Sequence, residues 1–308
     1  MAVTTPPVEA NVKRRSRLTG VRRVFAPVAE ARGTTRTMLW LGAGITLAFV
    51  LIALLAPVIA PYDFDTFEVN GKRFPQLAPP SRDHLMGTNV QSTDVLSRVI
   101  WGTQTELKVV IVSLIISIGV GVPLGLFSGY FGGKLDRILV LIMDALLVFP
   151  FLLLAIVIAF LLADKVGQGI LTAAIAITVV YIPLNFRVVR NHTISIREEP
   201  FVEAARALGA RPMTIIRKYV FFNVVQNVPP LATLNAADAI LTLAALGFLG
   251  YGIQPTEGAE WGYDVNRAVS DAASGIWWTG LFPGFAIVLL VVGLTLLVEG
   301  LSETINPL

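Results

Sequence analysis

The chain has 308 residues, of which 55% are hydrophobic and 15% are charged, and its mean hydropathy is +0.71. This composition lies outside the usual range of a soluble domain and predicts an integral membrane protein with several spans. Cysteine is absent, which excludes disulfides, thiolate nucleophiles and cysteine metal sites. The formal net charge of +3 is too small to indicate a nucleic-acid partner.

A basic tail over residues 1–37 precedes the first apolar run. The tail either binds anionic membrane lipid or is disordered and only sets topology. A bilayer core needs about 20 apolar residues in a helix, and runs of that length recur along the chain. We therefore predict an all-α membrane protein with six transmembrane helices, at 38–60, 109–131, 138–163, 167–186, 229–250 and 277–298.

The basic residues predict the orientation of these spans. Eight Lys or Arg residues fall in the first 38 positions and seven between Arg187 and Lys218, whereas the loops around Lys165 and Arg267 hold one each. Because basic residues accumulate on the cytoplasmic side, both termini are expected in the cytoplasm. No short signal-peptide pattern precedes the first span, so we expect that span to remain attached.

Two segments are predicted outside the membrane, 61–103 and 251–276. In the first, Asn70-Gly71 indicates a hairpin turn, and an interfacial helix is expected near 94–108. The second segment carries a cluster of carboxylates, which is either a docking surface for another protein or a solvated loop, and three tryptophans expected to anchor the membrane interface. The carboxylates are Glu257, Glu260, Asp264 and Asp271, and the tryptophans are Trp261, Trp277 and Trp278.

Small residues recur every four positions in the second span: Ser113, Ser117, Gly121, Gly125, Gly129 and Gly133. Such a ridge lets a neighbouring helix approach closely. It is either a sliding or subunit-facing contact or ordinary packing within the chain. Pro123 in the same span predicts a bend.

Two carboxylates lie inside predicted spans, Asp144 in the third and Asp238 in the fifth. Charged groups in a membrane are costly, so each is expected to face protein or a watery cavity. A proton relay is one hypothesis. Since His84 and His192 lie in predicted loops and no Lys or His lies in a span, structural hydrogen bonding or a polar lining is favoured.

The cytoplasmic loop after the fourth span is predicted to form two short helices. Residues 203–208 favour a helix, Gly209 supplies a helix end, and Pro212 suits the start of the next helix. The apolar and small residues of the first helix, spaced to share one face, are Phe201, Ala204, Ala205 and Leu208. A face with small residues at its middle fits into a groove. The apolar run before the fifth span is too long for one crossing, so a kink is expected at Pro229-Pro230.

The segment EAARALG, Glu203 to Gly209, resembles the EAA signature of binding-protein-dependent ABC importer permeases. Further blocks resemble the second membrane subunit of dipeptide and oligopeptide importers, from about residue 38 to the end. These blocks are HLMGTNVQSTDVLSR from His84, GYFGGKLDRIL from Gly129, DALLVFPFLLLA from Asp144, LGFLGYGIQP from Leu246, EWG from Glu260 and LFPG from Leu281. The resemblance implies a type I ABC importer permease fold, with a permease domain over 104–303.

The sequence departs from that family at three places. Tyr219 and Phe222 stand where a His-x-Leu-Pro pattern is usual. Ser92-Thr93 replaces the usual Gly-Arg before Asp-Val-Leu-Ser-Arg. A fifth-span glutamate often seen in the family is replaced by Leu243. These departures weaken any transfer of cargo identity.

The resemblance implies a cytoplasmic coupling helix that docks on an ATPase subunit through Glu203, Ala204, Ala205, Leu208 and Gly209. It also implies a second permease, two ATPases, an extracytoplasmic solute-binding protein and location in a bacterial plasma membrane. The sequence has no GxxxxGK[ST] loop, catalytic triad or metal-ligand cluster, so we expect no enzyme activity and no cofactor in this chain. ATP and Mg²⁺ are expected on the ATPases.

Peptides are the expected cargo, and nickel chelates, oligosaccharides or another small solute are the alternatives. A stand-alone secondary transporter is a different class of protein. It predicts paired charges or inverted repeats within the spans, and the sequence shows neither.

Overall fold

The structure, a computed structural model, describes residues 33–305, with side chains through Glu303. Most of the predicted basic tail therefore lies outside the described residues. The helices are α1 Gly33–Ile59, α2 Val95–Phe131, α3 Gly133–Val148, α4 Phe151–Val166, α5 Ile170–Arg197, α6 Pro200–Ala207, α7 Pro212–Ile215, α8 Phe221–Val224, α9 Val228–Phe248, α10 Trp261–Ala273 and α11 Trp278–Ile305. A small hairpin, β1 Glu68–Val69 and β2 Lys72–Arg73, follows α1.

Five helical stretches in the described residues are long and apolar enough to cross a membrane, and α3 with α4 makes a sixth candidate. The predicted third span, 138–163, is not one straight helix. Helices α3 and α4 meet at an angle of 96°, because the chain leaves the helical conformation at Phe149-Pro150. Proline has no N–H to donate to a preceding helical turn. The third candidate crossing is therefore a pair of helices broken at Phe149-Pro150.

Helix α2 is longer than predicted. The expected interfacial helix and the second span are one continuous helix of 37 residues, which runs through Pro123. The predicted boundary between residues 103 and 104 consequently falls inside a helix. Helix α5 likewise continues to Arg197, so His192 lies in a helix and not in a loop.

The small-residue ridge of α2 packs against α5, within the chain. A Cβ atom at Gly121 would lie 2.7 Å from the Asn185 Cβ, and one at Gly125 would lie 2.7 Å from the Phe186 carbonyl oxygen. Gly129 meets α5 in the same way one turn further on. The structure thus assigns the ridge to ordinary packing. Gly133 does not belong to it, because α2 ends at Phe131 and a Cβ at Gly133 would meet no atom within 4 Å.

A single bent helical path over residues 212–248 follows α6. It passes through a π-helical turn, Ile216–Val220, then α8, and then a 3₁₀ turn, Val225–Asn227. Helix α9 begins at Val228 with Pro229 and Pro230 in its first turn. The irregular turn lies directly before the prolines, because their missing N–H groups are tolerated only at a helix start.

The α10 end of the bundle is held together by polar contacts. The hairpin turn at Asn70-Gly71 is confirmed, since both residues have positive φ angles, 54° and 75°. Asp94 caps α2 by accepting a hydrogen bond from the Ser97 amide at 2.8 Å, and it contacts His84 Nδ1 at 2.9 Å. The conspicuous block from His84 therefore has a structural role in this chain.

The predicted acidic surface and two of the predicted interface anchors are wrong. Glu260 and Asp271 are buried, and Asp264 forms an ion pair with Arg98 at 2.7 Å, so of the four carboxylates only Glu257 is freely exposed. The Trp261 and Trp278 rings are also buried and donate hydrogen bonds to backbone carbonyls. Trp277 is exposed.

Candidate functional site

The α6–α7 segment, residues 200–215, contains a helix, a tight break and a second helix, as predicted. Helix α6 starts with Pro200 and carries Glu203 in its first turn, where a carboxylate is favourable to the helix dipole. It ends in a Schellman motif: the Gly209 amide donates to Arg206 and the Ala210 amide to Ala205. Gly209 has a φ angle of 78°, a conformation that glycine adopts without strain.

Two faces of α6 differ sharply in exposure. Val202 and Ala205 are buried, whereas Phe201 is 42% and Leu208 is 88% exposed, and Ala204 is exposed beside them. The prediction that Ala205 belongs to the outward face is therefore wrong. Ala205 packs into the chain, because its position around the helix coincides with that of Val202. The outward face consists of Phe201, Ala204 and Leu208.

The inner face of α6 belongs to a compact apolar cluster. Its buried members come from four parts of the chain: Val122 and Leu126 of α2, Val189 of α5, Val202 and Ala205 of α6, and Ile215, Val220 and Val224 of the following path. Because these side chains pack together, α6 is fixed to three membrane helices. A displacement of α6 would be transmitted to those helices.

An ion pair and a hydrogen bond from an arginine stabilise the same end of the bundle. Arg190 of α5 forms a bidentate contact with Asp136 of α3, at 2.5 Å and 2.8 Å. Arg197, the last residue of α5, donates to the Gly129 carbonyl of α2 at 3.0 Å. These contacts fix the start of α3 and the end of α2 to α5, directly before α6 begins.

A cavity of about 690 Å³ lies at the break between α3 and α4. Its lining is mostly apolar: Leu146, Leu147, Val148, Phe149, Pro150, Phe151, Leu152, Leu154, Val180, Tyr181, Leu184, Asp238, Leu241, Thr242 and Ala245. Asp238 is the one charged residue among them. The Tyr181 and Thr242 hydroxyls lie 3.4 Å apart in the same lining. Asp238 thus faces a cavity, as its position in a span predicted.

Asp144 has a different environment. It forms an ion pair with Arg187 of α5 at 2.7 Å, and the two side chains are 51% and 55% exposed. No Lys or His partner for Asp144 was predicted within a span. The partner is an arginine, because α5 extends beyond the predicted span and brings Arg187 to the level of Asp144. An exposed ion pair beside spanning helices requires protein or water as its neighbour, not lipid.

Two buried carboxyl groups, those of Glu106 and Glu260, lie between the bundle and α10. Glu260 caps α10 by accepting hydrogen bonds from the Gly262 and Tyr263 amides at 2.6 Å and 2.7 Å. Burial raises the pKa of Glu260 to about 8, and its carboxyl meets that of Glu106, which is also fully buried. Glu106 of α2 and Glu260 of α10 thus lie beside each other in the interior.

Residues important in these sites had no clear sequence signal. Tyr181 and Thr242 look like ordinary members of apolar helices, and Arg187 lay at the edge of a predicted loop. Glu106 was a usable signal, since it is a lone acid directly before an apolar run. Within the described residues, no three His, Cys, Asp or Glu side chains are grouped to hold a metal ion.

The chain matches known families over most of its length. Residues 121–308 match the family described as binding-protein-dependent transport system inner membrane component. Residues 35–80 match the N-terminal TM domain of oligopeptide transport permease C. The first match alone covers more than half of the chain.

Several curated proteins are similar to this chain. The dipeptide transport system permease protein DppC of Alkalihalophilus pseudofirmus is 36% identical over 266 residues, which cover 85% of this chain and 83% of that protein. The glutathione transport system permease protein GsiD of Pectobacterium atrosepticum is 32% identical, with coverage of 85% and 84%. The probable D,D-dipeptide transport system permease protein DdpC of Escherichia coli is 32% identical, with coverage of 91% and 94%.

A solved structure has the same fold. A chain of the MetNI methionine ABC transporter, in an inward-facing conformation, superposes with a TM-score of 0.53 over 65% of this chain and 91% of that one. The sequence identity is 23%, so this likeness shows the fold alone. The fold is that of a type I importer permease. The chain belongs to the family of inner membrane components of binding-protein-dependent transport systems, as a multi-pass transport permease.

Proposed function

We propose that the chain is one of two permease subunits of an ATP-driven importer for peptides, and that α6 receives the motion of an ATPase subunit. The observation that carries the coupling role is the division of α6 into two faces. The outward face, Phe201, Ala204 and Leu208, is apolar and exposed, while the inward face is packed on three membrane helices. An exposed apolar face on a rigid base is typical of a docking surface.

The orientation follows from the charges. The basic tail and the loop from Arg187 to Lys218 hold 15 of the 24 Lys and Arg residues, so both termini and α6 are assigned to the cytoplasm of a bacterial plasma membrane. ATP and Mg²⁺ are assigned to two ATPase subunits, because the sequence has no phosphate-binding GxxxxGK[ST] loop. A solute-binding protein is assigned to the α10 end.

A related second permease completes the path. The cavity at the α3–α4 break is open to the outside of this chain, and the Asp144–Arg187 pair lies half-exposed on α3 and α5. Both features would be unfavourable against lipid. They are consistent with a second membrane subunit that covers this side and encloses a path between the two chains.

Peptide cargo is supported by what the relatives are named for: dipeptide, glutathione and D,D-dipeptide transport. All three are short peptides or peptide derivatives. The resemblance over nearly the whole chain extends to both the apolar core and the segment around the broken crossing. We therefore assign short peptides to this importer.

The test is co-purification of the ATPase with a substituted permease. Leu208→Glu places a charge on the most exposed residue of the outward face, at the C-terminal end of α6, and we expect it to release the ATPase and abolish ATP-driven peptide uptake. Burying an unpaired charge in an interface costs several kcal/mol, or about a hundredfold in affinity. The matched control is Leu135→Glu, the same change at an exposed position in the first turn of α3.

Both variants must insert to the same level in the membrane, which immunoblotting of membrane fractions measures. Retention of the ATPase and of uptake by Leu208→Glu would contradict the docking role. Equal loss in both variants would mean that any added charge at this end disrupts assembly, and would also contradict it.

A further inference from the structure

The cavity at the broken crossing contains a carboxylate with no partner. Asp238 lies halfway along α9, and within residues 33–303 no side chain or backbone group forms a hydrogen bond or ion pair with its carboxylate. Its backbone carbonyl alone is used, by the Thr242 hydroxyl. Asp238 is exposed to the open cavity, and a carboxylate between membrane helices favours a group that arrives with positive charge.

The break itself supplies further hydrogen-bond acceptors to the same cavity. Helix α3 ends at Val148, so the carbonyls of its last turn have no partner within the helix. No other backbone hydrogen bond among the described residues ends on the carbonyls of 145–148, and Pro150 has no N–H to donate. The N-terminus of α4, which begins at Phe151 in the same lining, has the opposite partial charge, so these carbonyls contribute lone pairs for hydrogen bonds and no net charge. Residues 146–149 line the cavity together with Asp238.

No cation among the described residues pairs with the Asp238 carboxylate. Among the residues lining the cavity there is neither Lys nor Arg. The nearby Arg187 and Arg190 are paired with Asp144 and Asp136. The remaining lining is apolar except for the Tyr181 and Thr242 hydroxyls, which suits the side chains and amide groups of a small molecule more than a hydrated ion.

We propose that Asp238 and the end of α3 form a subsite within the membrane that binds the protonated amino terminus of a peptide during its passage. A primary ammonium is a compact cation with three donors. It can therefore bond to the Asp238 carboxylate and to a helix-end carbonyl at the same time, while the apolar lining contacts the peptide side chains. This inference rests on the proposed importer function and adds to it the chemical group that this chain recognises.

The experiment uses the complete importer, reconstituted into proteoliposomes with both permeases, the ATPases and the solute-binding protein. Uptake of one labelled peptide is compared with uptake of the same peptide after N-acetylation, each supplied on saturated binding protein. For each cargo the rate of a variant is divided by the rate of the unmodified chain. The preference of the binding protein cancels in this ratio, because the binding protein is the same in both measurements.

Asp238→Asn should reduce uptake of the peptide with a free amino terminus about tenfold or more, the usual loss for a hydrogen bond to a charged group. Uptake of the acetylated peptide should stay unchanged. Asp238→Glu should retain the discrimination. The matched control is Asp164→Asn, the same change at an exposed position near the end of α4, and it should alter neither ratio.

Three outcomes would overturn the subsite. In the first, Asp238→Asn reduces the uptake of both peptides equally, and in the second it reduces the uptake of neither. Alternatively, replacing Na⁺ by choline would slow uptake by the unmodified chain and not by Asp238→Asn, which would make a metal ion the occupant. Failure of the proposed function is distinguishable, because then the unmodified importer would take up neither peptide although the solute-binding protein is loaded.

Discussion

Ser92 occupies a backbone conformation that favours glycine. Its φ angle is 63°, it is fully buried, and its hydroxyl has no partner among the described residues. A side chain in the left-handed region costs about 1 kcal/mol.

Ser92→Gly should therefore stabilise the protein. It removes the backbone strain and the unpaired buried hydroxyl. Together these two gains in free energy exceed the cost of the greater backbone entropy of glycine in the unfolded chain. We expect the free energy of unfolding to rise by about 1 kcal/mol, measured as a higher midpoint of thermal unfolding in detergent. Ser270→Gly, the same change in the exposed part of α10, should lower it by about 0.5 kcal/mol. A lower midpoint for Ser92→Gly would contradict this account of the loop.

The buried carboxylates show what the sequence could not reveal at this scale. The charges of Glu260, Asp264 and Asp271 indicated a surface, because charged residues are mostly exposed. Their burial depends on partners distant in sequence: Arg98 for Asp264, and Glu106 for Glu260. A hydropathy value describes only how unfavourable it is to bury a charged residue, and it contains no information about a partner distant in sequence.

At the scale of elements, the contact between α2 and α5 depends on the absence of side chains on the ridge. Gly125→Leu should disrupt it, because even a Cβ atom there would lie 2.7 Å from the Phe186 carbonyl oxygen and 2.9 Å from the Val189 Cβ. We expect a loss of about 3 kcal/mol or more in stability, as for severe overpacking, and reduced yield of folded protein in size-exclusion chromatography.

Gly119→Leu is the matched control. It lies on the same helix, where a Cβ atom would meet no atom within 4 Å, and it should fold and assemble normally. If Gly125→Leu behaved like Gly119→Leu, the ridge would not be a packing contact in the protein.

Hydropathy predicted where the chain crosses the membrane and not how. The first, second, fourth, fifth and last crossings correspond to long helices, although α2 and α5 extend well beyond their apolar runs. The break at Phe149-Pro150 was missed because both residues are apolar and the averaged window contains no sign of lost hydrogen bonds. In contrast, Gly209 and Pro212 marked the break after α6 correctly, since each has a direct stereochemical effect.

At the scale of the whole molecule, polar contacts hold one end of the bundle, an apolar cluster holds the other, and a cavity lies between them. At one end α10 is fixed to α2 by the ion pair of Asp264 with Arg98 and by the hydrogen bond of Trp261 to the Val99 carbonyl. At the other end α6 is packed on α2, α5 and the path leading to α9. The cavity is lined by α3, α4, α5 and α9. Helix α5 packs directly on the proposed docking helix, and α9 is connected to it through residues 212–227, which would let the motion of α6 change the shape of the cavity.

The most direct test is cross-linking through a single introduced cysteine, since the natural chain has none. Leu208→Cys is reacted in intact membranes with a short bifunctional reagent and compared with Glu257→Cys at the α10 end. We predict that Leu208→Cys captures an ATPase subunit, is protected from reagents added outside the cell, and loses ATP-driven uptake once linked, whereas Glu257→Cys reacts from outside and captures no ATPase. Labelling of Leu208→Cys from outside, or capture of the ATPase through Glu257→Cys, would contradict the account.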